Sequence, residues 1–288
     1  MPDGDYVSCH LYSYFVKMKT VVISLASLLL PFFLANGQDE WEWRKTSRGV
    51  EYCSRQIELS GAMQSISAVR YKSVRHKTKV YCANGTQADS TSALAVRINA
   101  RAAVNAGYFN MKTRYPVTYI KQAGKGVVGH TTSEELFRTD GVLAVKRCGK
   151  VDIMHCDTTE YANLKGYREV FASGPVLLLD GMPAREEWPA GGGFYPKRHP
   201  RTVFGTDRNG RAYFIVIDGR LAGQGEGTTI EETVAICQML GLKDAINLDG
   251  GGSSLLWERS NGVLSHPCGN RKYDHFGQRV IPNILYIK

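Results

Sequence analysis

The chain lacks the marks of several chemistries. No C-x-x-C pair and no His/Cys cluster at zinc spacing occurs in its 288 residues, so a structural zinc site is not expected. There is no G-x-S-x-G nucleophile elbow, and the seven histidines are scattered, which disfavours a serine triad and metal hydrolysis alike. No dense Lys/Arg block with interleaved aromatics supports nucleic-acid binding, although the formal net charge is +9. Internal repeats and low-complexity linkers are absent too. What remains is a globular composition, 43% hydrophobic and 22% charged, able to fill a sizeable core.

One long apolar run does occur, near the N-terminus. From Met18 the chain reads MKTVVISLASLLLPFFLANGQ: a lysine, an uncharged stretch from Val21 to Leu34, then Ala35 and Gly37 at small-residue spacing. That is the layout of a secretory signal peptide with cleavage before Gln38, and the run is short for a membrane span of ~20 residues. Residues 1–37 are therefore assigned to an upstream segment plus signal peptide. Residues 38–49 form a loosely held lead-in and residues 50–288 one domain, exported to a periplasmic or extracellular space without a membrane span in the mature form. Removing residues 1–37 takes away two charges of each sign and leaves the balance at +9, which suits an anionic substrate. Cys9 goes with them, and the six cysteines left permit disulfides whose pairing the sequence does not give; Cys148 and Cys156 flank a segment that could close a hairpin.

Beyond Val50, short β-branched or alternating runs separated by Gly/Asn/Asp punctuation read as strands, with DRNG a strong hairpin turn. Two stretches read as helix, TSALAVRINARAAVNAG and TTIEETVAICQMLG, the second with a threonine cap and an early glutamate. The expectation is an α+β (mixed α/β) single domain of twisted mixed and antiparallel sheets with a few helices.

Polar groups at strand ends are the candidates for chemistry, because such ends present side chains to a cleft. They are Asn105 in VNAGYFN, Asp180 in LLLDG, Asp218 in IVIDGR and Asp249 in INLDGGGSS. Asp180 reads as a plain turn. Asp249 is different: one glycine satisfies a turn, whereas Gly250, Gly251 and Gly252 followed by Ser253 and Ser254 expose successive N–H groups to an anionic oxygen. This run matches neither G-x-x-x-x-G-K-[ST] nor G-x-G-x-x-G, so it is no nucleotide loop. In RHPRTVFG, Arg201 opens a strand whose hairpin partner ends in Asp218, and its fork would pair a phosphate across a shared cleft. Gly191–Gly193, beside Trp188 and Tyr195, would lie over that cleft. Two carboxylates working together is the glycosidase layout.

Six ordered motifs, VNAGYF, SGPVLLLDG, RHPRTVFG, VIDGR, GTTIEET and INLDGGGSS, resemble the phosphodiester glycosidase family from about Ala102 to the C-terminal strand. The family's Asn-Gly-Gly-Phe-Phe becomes Asn105-Ala106-Gly107-Tyr108-Phe109, and its Gly-Met-Thr-Leu becomes Gly227-Thr228-Thr229-Ile230. The resemblance implies a bacterial, exported member hydrolysing an N-acetylglucosamine-like sugar 1-phosphodiester to free sugar and a phosphomonoester. It further implies Asp218, Asp249 and Glu232 as catalytic groups, with Asn105, Gly107, Arg201, Thr229, Gly250, Gly251, Gly252 and Ser253 binding substrate or phosphate. Glu232 reads equally as a first-turn helix carboxylate. No cofactor is expected, and bound calcium stays open. The partner is a sugar-phosphodiester or phosphorylated glycan. Two rivals stand beside this reading: a non-catalytic binder of phosphorylated envelope glycans, and a metal-assisted phosphodiesterase that cleaves P–O.

Overall fold

Period-two alternation decides which residues of strand Arg201–Asp207 meet which layer. Phe204 joins Phe214, Val216 and Ile246 in one core cluster, while Val203 joins Ile215, Ile217 and Ala245 in another on the opposite face. Phe204 and Phe214 are wholly buried, each contributing on the order of 2 kcal/mol relative to exposure. A strand with both faces covered needs cover from other elements: residues of two further sheets supply it on the Phe204 face and helix Ile230–Met239 on the Val203 face.

The computed structural model describes residues 41–288 other than Asn84. The expected signal segment lies outside the described residues. Among those described, no helix is long and apolar enough to cross a membrane. The largest sheet has eight strands in the order Arg44–Ser47, Val50–Leu59, Ala62–Lys72, Arg211–Ile217, Arg201–Asp207, Leu242–Asn247, Val176–Leu179, Met182–Pro183. A five-stranded sheet contains Gly141–Lys146 and Tyr167–Ser173, and a second five-stranded sheet contains Ala102–Asn105 between Leu256–Glu258 and Asn283–Ile287. One core is shared by all three: Phe204 and Ile246 from the first, Leu143 and Phe171 from the second, Val104 and Leu285 from the third. Helix Ile230–Met239 covers the other face of the eight-stranded sheet through Ile230, Val234 and Cys237.

The fold is thus largely β, which narrows the expected mixed class. Among the described residues every strand ladder is antiparallel. The first helix is also shorter than its alanine spacing suggested. It spans Thr91–Arg97 and is broken by Asn99 at φ 57, after which Ala102–Asn105 is a buried strand. Alanines fit both states, and a left-handed asparagine ends the helix where burial between two sheets favours extension. The lead-in is not loose where it is described: Trp41 is buried, with its indole donating to the Met239 carbonyl at 3.3 Å, and Arg44–Ser47 forms an edge strand. Trp43 packs edge-on against Tyr213 at 5.8 Å and carries the Arg70 guanidinium at 4.0 Å. Cys53, Cys148, Cys156, Cys237 and Cys268 are unbridged, so no hairpin disulfide joins Cys148 to Cys156.

Register then sets the place of the chemistry. Arg201 pairs with Ile217 and Val203 with Asn247, so strands Arg211–Ile217 and Leu242–Asn247 end on the same side as strand Arg201–Asp207 begins. Asp218 and Asp249 emerge there, two strand spacings or about 10 Å apart. Ser173 arrives beside them, its hydroxyl donating to the Asn247 carbonyl at 2.8 Å.

Candidate active site

Asn105 is the keystone under the glycine turn. Wholly buried at the end of its strand, it donates from Nδ2 to the Asp249 carbonyl at 2.6 Å. Its Oδ1 accepts from Thr202 Oγ1 at 2.8 Å and from the Leu255 amide at 3.0 Å. The Asp249 amide in turn donates to the Ala106 carbonyl at 2.8 Å. Both ends of the Asn105 amide are therefore spent on main chain and scaffold, and its task here is to fix the turn rather than to touch a sugar.

The glycines are required for separate reasons. A Cβ on Gly250 would lie 2.6 Å from the Pro200 carbonyl oxygen, Gly251 has φ +62, and a Cβ on Gly252 would meet the Arg279 guanidinium at 2.2 Å. Gly107, expected at the substrate, is instead pressed against the Phe171 ring, where a Cβ would lie 2.3 Å away.

Asp249 itself is only half-buried, yet its electrostatics are the most perturbed of the candidate acids. Burial pushes its carboxyl up to about 6. The Ser253 hydroxyl, the Arg138 and Arg279 charges and the Gly250 amide all pull the other way without restoring the usual carboxylate range. The cations are placed by contacts of their own. Arg138 lies over the Tyr108 ring at 3.9 Å and is held by Glu135 at 2.6 Å. Arg279 covers Gly252 and reaches Ser253 Oγ at 3.5 Å. Arg220, at φ 65, brings a guanidinium nitrogen to 3.3 Å from the Cβ position of Gly251. With Arg138 and Arg279 acting on the Asp249 carboxyl and Arg220 against Gly251, the turn is equipped to receive an anion at its arginines and to stabilise positive charge at its carboxylate.

The expected cation, Arg201, is spent largely on main chain. Arg201 is 2% exposed, and its Nε and Nη2 donate to the carbonyls of Thr228 (2.9 Å), Phe194 (2.7 Å) and Lys197 (3.1 Å). Burial pulls it down to about 10, which still leaves it charged at neutral pH. It staples the 193–200 segment to the sheet, and so does His199, whose Nε2 lies 2.9 Å from the Gly193 carbonyl. Thr229 and Glu232 form the capping box of helix Ile230–Met239. Burial works to raise the Glu232 carboxyl, but hydrogen bonds from Arg198 and the Thr229 amide outweigh it and hold it low. Arg198, paired with Glu232 at 2.6 Å, goes on to the Ser60 carbonyl at 2.9 Å. Of the two readings of Glu232, the geometry fits the first-turn helix carboxylate. Asp180 is an exposed turn residue paired with Arg208 at 3.0 Å.

Asp218 is 2% exposed and fully engaged. Its Oδ2 accepts from Ser65 Oγ at 2.6 Å and faces His266 Nδ1 at 2.8 Å, and its Oδ1 accepts the His266 amide at 2.8 Å. Sequence reading missed His266, Arg220, Arg279 and Arg138. Arg220 stood inside the quoted VIDGR, and its left-handed backbone after a glycine was the available signal; the other three come from loops without a motif.

A cavity of ≈ 290 Å³ lies at the far end of strands Gly141–Lys146 and Tyr167–Ser173, lined by Lys77, Lys79, Lys146, Arg147, Arg168 and Glu169. It shares no residue with the Asp249 turn.

Residues 99–288 match the model of the phosphodiester glycosidase family. The chain belongs to that family. The match holds Asn105, Asp218, His266 and the Asp249 turn, whereas Ser65, which completes the Asp218 site, precedes it. No curated protein matches the chain. Among solved structures, the zebrafish N-acetylglucosamine-1-phosphodiester alpha-N-acetylglucosaminidase catalytic domain, described as auto-inhibited by its pro-peptide, is 18% identical. The similarity covers 87% of this chain and 92% of that one, with a TM-score of 0.65. A hypothetical protein from Synechocystis is 15% identical over 86% of this chain and 63% of that one, TM-score 0.63. A putative exported protein from Burkholderia pseudomallei is 15% identical over 79% and 74%, TM-score 0.60. At these identities the structural likeness speaks for the fold, and the family match carries the class of chemistry.

Proposed function

We propose that this phosphodiester glycosidase hydrolyses a sugar 1-phosphodiester, with an N-acetylglucosamine-like sugar, at the anomeric C–O bond, releasing free sugar and a phosphomonoester in an exported setting. The observation that carries this reading is the glycine turn itself, which holds Asp249 within the fields of Arg138 and Arg279 and has Arg220 against Gly251 and Arg279 against Gly252. A phosphate ester is already a good leaving group, so the demand on the protein is charge stabilisation more than strong acid catalysis. Arg220 and Arg279 neutralise the departing phosphate, while the Gly251, Ser253 and Ser254 amides are spent inside the turn on the Pro200, Gly250 and Gly251 carbonyls, and ionised Asp249 stabilises the oxocarbenium-like centre. Arg201, Glu232, Thr229 and Asn105 hold the walls in place.

The test is incubation with a panel of sugar 1-phosphodiesters in ¹⁸O-labelled water, followed by NMR and mass spectrometry. The expected result is free sugar carrying the label. Label in the phosphate would transfer the reading to a P–O-cleaving phosphodiesterase, and tight binding without release would leave a glycan binder.

A further inference from the structure

Asp218 is too enclosed and too well hydrogen-bonded to act on a substrate itself, but it is arranged to act through its neighbour. A carboxylate only accepts, so the short contact from His266 Nδ1 fixes the hydrogen on Nδ1 and leaves the lone pair of the neutral ring on Nε2. The ring cannot easily turn away. It is stacked on Tyr273 at 3.7 Å with planes 10° apart and on His275 at 4.7 Å. Tyr273 is itself tied to Ser65 Oγ at 3.1 Å and to Gln56 at 3.2 Å, and His275 Nδ1 lies 2.9 Å from the Ser265 carbonyl. The His266 side chain nevertheless keeps 15% of its surface exposed, against 1% for that of Asp218. Its segment reaches the glycine turn: Cys268 Sγ is 4.0 Å from Arg220, whose other guanidinium nitrogen lies against Gly251. A buried acid, a hydroxyl donor, a fixed tautomer and an Nε2 that keeps its lone pair on a partly exposed ring make an oriented general base.

We propose that His266 is the proton-transfer group of this site and that Asp218 is its positioning residue, an inference that rests on the hydrolytic reading above. Water attacks the anomeric carbon while the bond from that carbon to the bridging oxygen breaks, and the bond's electron pair leaves on the phosphomonoester. One proton of the water passes to His266 Nε2, and the other stays on the new anomeric hydroxyl. The imidazolium faces the Asp218 carboxylate until the proton is lost to solvent. The division of labour is then between two aspartates: Asp249 meets the sugar, and Asp218 serves the base.

The decisive variant is His266→Asn, whose side-chain amide can replace the Nδ1 hydrogen bond to Asp218 while removing Nε2. It should fold, and its kcat on a sugar 1-phosphodiester should fall at least ~100-fold with KM changed by no more than about threefold. In His266→Ala, added imidazole should restore kcat at least ~10-fold, a rescue that a merely structural role would not give. Folded His266→Asn retaining a third or more of wild-type kcat overturns the proposal, and so does a folded His266→Ala indifferent to imidazole. If the alanine variant does not fold, the asparagine variant decides alone. Wild-type protein that turns over no diester of the panel removes the hydrolytic reading and this one with it. An active wild type with an active His266→Asn removes only this one.

Discussion

The two turns at the working end of the sheet begin alike and end differently. Both Asp218 and Asp249 follow the buried end of a strand and precede a glycine. Asp218 is closed off and receives three hydrogen bonds, from Ser65, the His266 amide and the His266 ring. Asp249 stands half-open on three glycines, surrounded by arginines, with burial pushing it up to about 6. The same local motif therefore yields a fully hydrogen-bonded carboxyl in one place and a partly answered one in the other. A carboxylate whose charge is fully answered contributes structure and orientation; one whose charge is incompletely answered keeps free energy for a ligand.

The comparison is broken most severely by Asp249→Asn. This change should lower kcat/KM at least ~10³-fold, because it removes charge needed at the transition state. In the wild type, kcat/KM should fall as pH drops below about 6, where Asp249 takes up its proton. Stability moves the other way. With a folded value near 6 against an ordinary 3.8, the native state holds a proton that the unfolded chain has released, so stability is lost as pH rises through that window. Asp249→Asn is spared that loss. At ~1.4 kcal/mol per unit, discounted for the solvent at this half-open carboxyl, it should be about 1–2 kcal/mol more stable than wild type at pH 7.5 and no different at pH 3. Urea melts at the two pH values check the sign.

Asp218→Ala should act in the opposite sense and destabilise. It leaves the Ser65 hydroxyl, the His266 amide and His266 Nδ1 facing a vacated buried site, a cost of about 3 kcal/mol seen as a lower urea midpoint. Thr229→Ala sharpens the contrast from outside the pair. Losing the cap of helix Ile230–Met239 should cost about 1 kcal/mol in thermal or urea unfolding while kcat stays near wild type, as expected if Thr229 and Glu232 only hold the wall. The smallest effect belongs to the third Asp-Gly turn: Asp180→Ala removes an exposed pair with Arg208 and should shift stability by no more than about 0.5 kcal/mol.

How far these differences can be read in the sequence depends on the kind of residue. INLDGGGSS marks its place because three glycines after a strand-end aspartate demand a reason, but the reasons the structure supplies are not the expected row of N–H groups: one glycine carries a positive φ, while two admit close approach of Pro200 and Arg279. The capping box of TTIEETV was legible because its partners are three residues apart. Arg201 misled because an arginine ahead of a strand looks the same whether it faces a cleft or a set of carbonyls. His266 is 48 residues from Asp218 along the chain and Arg279 is 26 from Ser253, with no periodic pattern to join them. The antiparallel ladders likewise depend on pairings such as Arg70 with Glu51 and Val203 with Asn247, which strand propensity alone does not specify.

By itself the sequence determined that the chain is β-rich, that strands end in Asp-Gly turns, that a capped helix precedes the glycine run, and that the motifs are those of a phosphodiester glycosidase. These features are carried by neighbours within a few residues, where backbone geometry and side-chain period act directly. The tertiary structure alone decided which aspartate is answered and which is not, which arginines reach the turn, and that a histidine stands on Asp218. Desolvation and charge depend on what the rest of the chain brings within a few ångströms, and that is set by the packing of three sheets around one core.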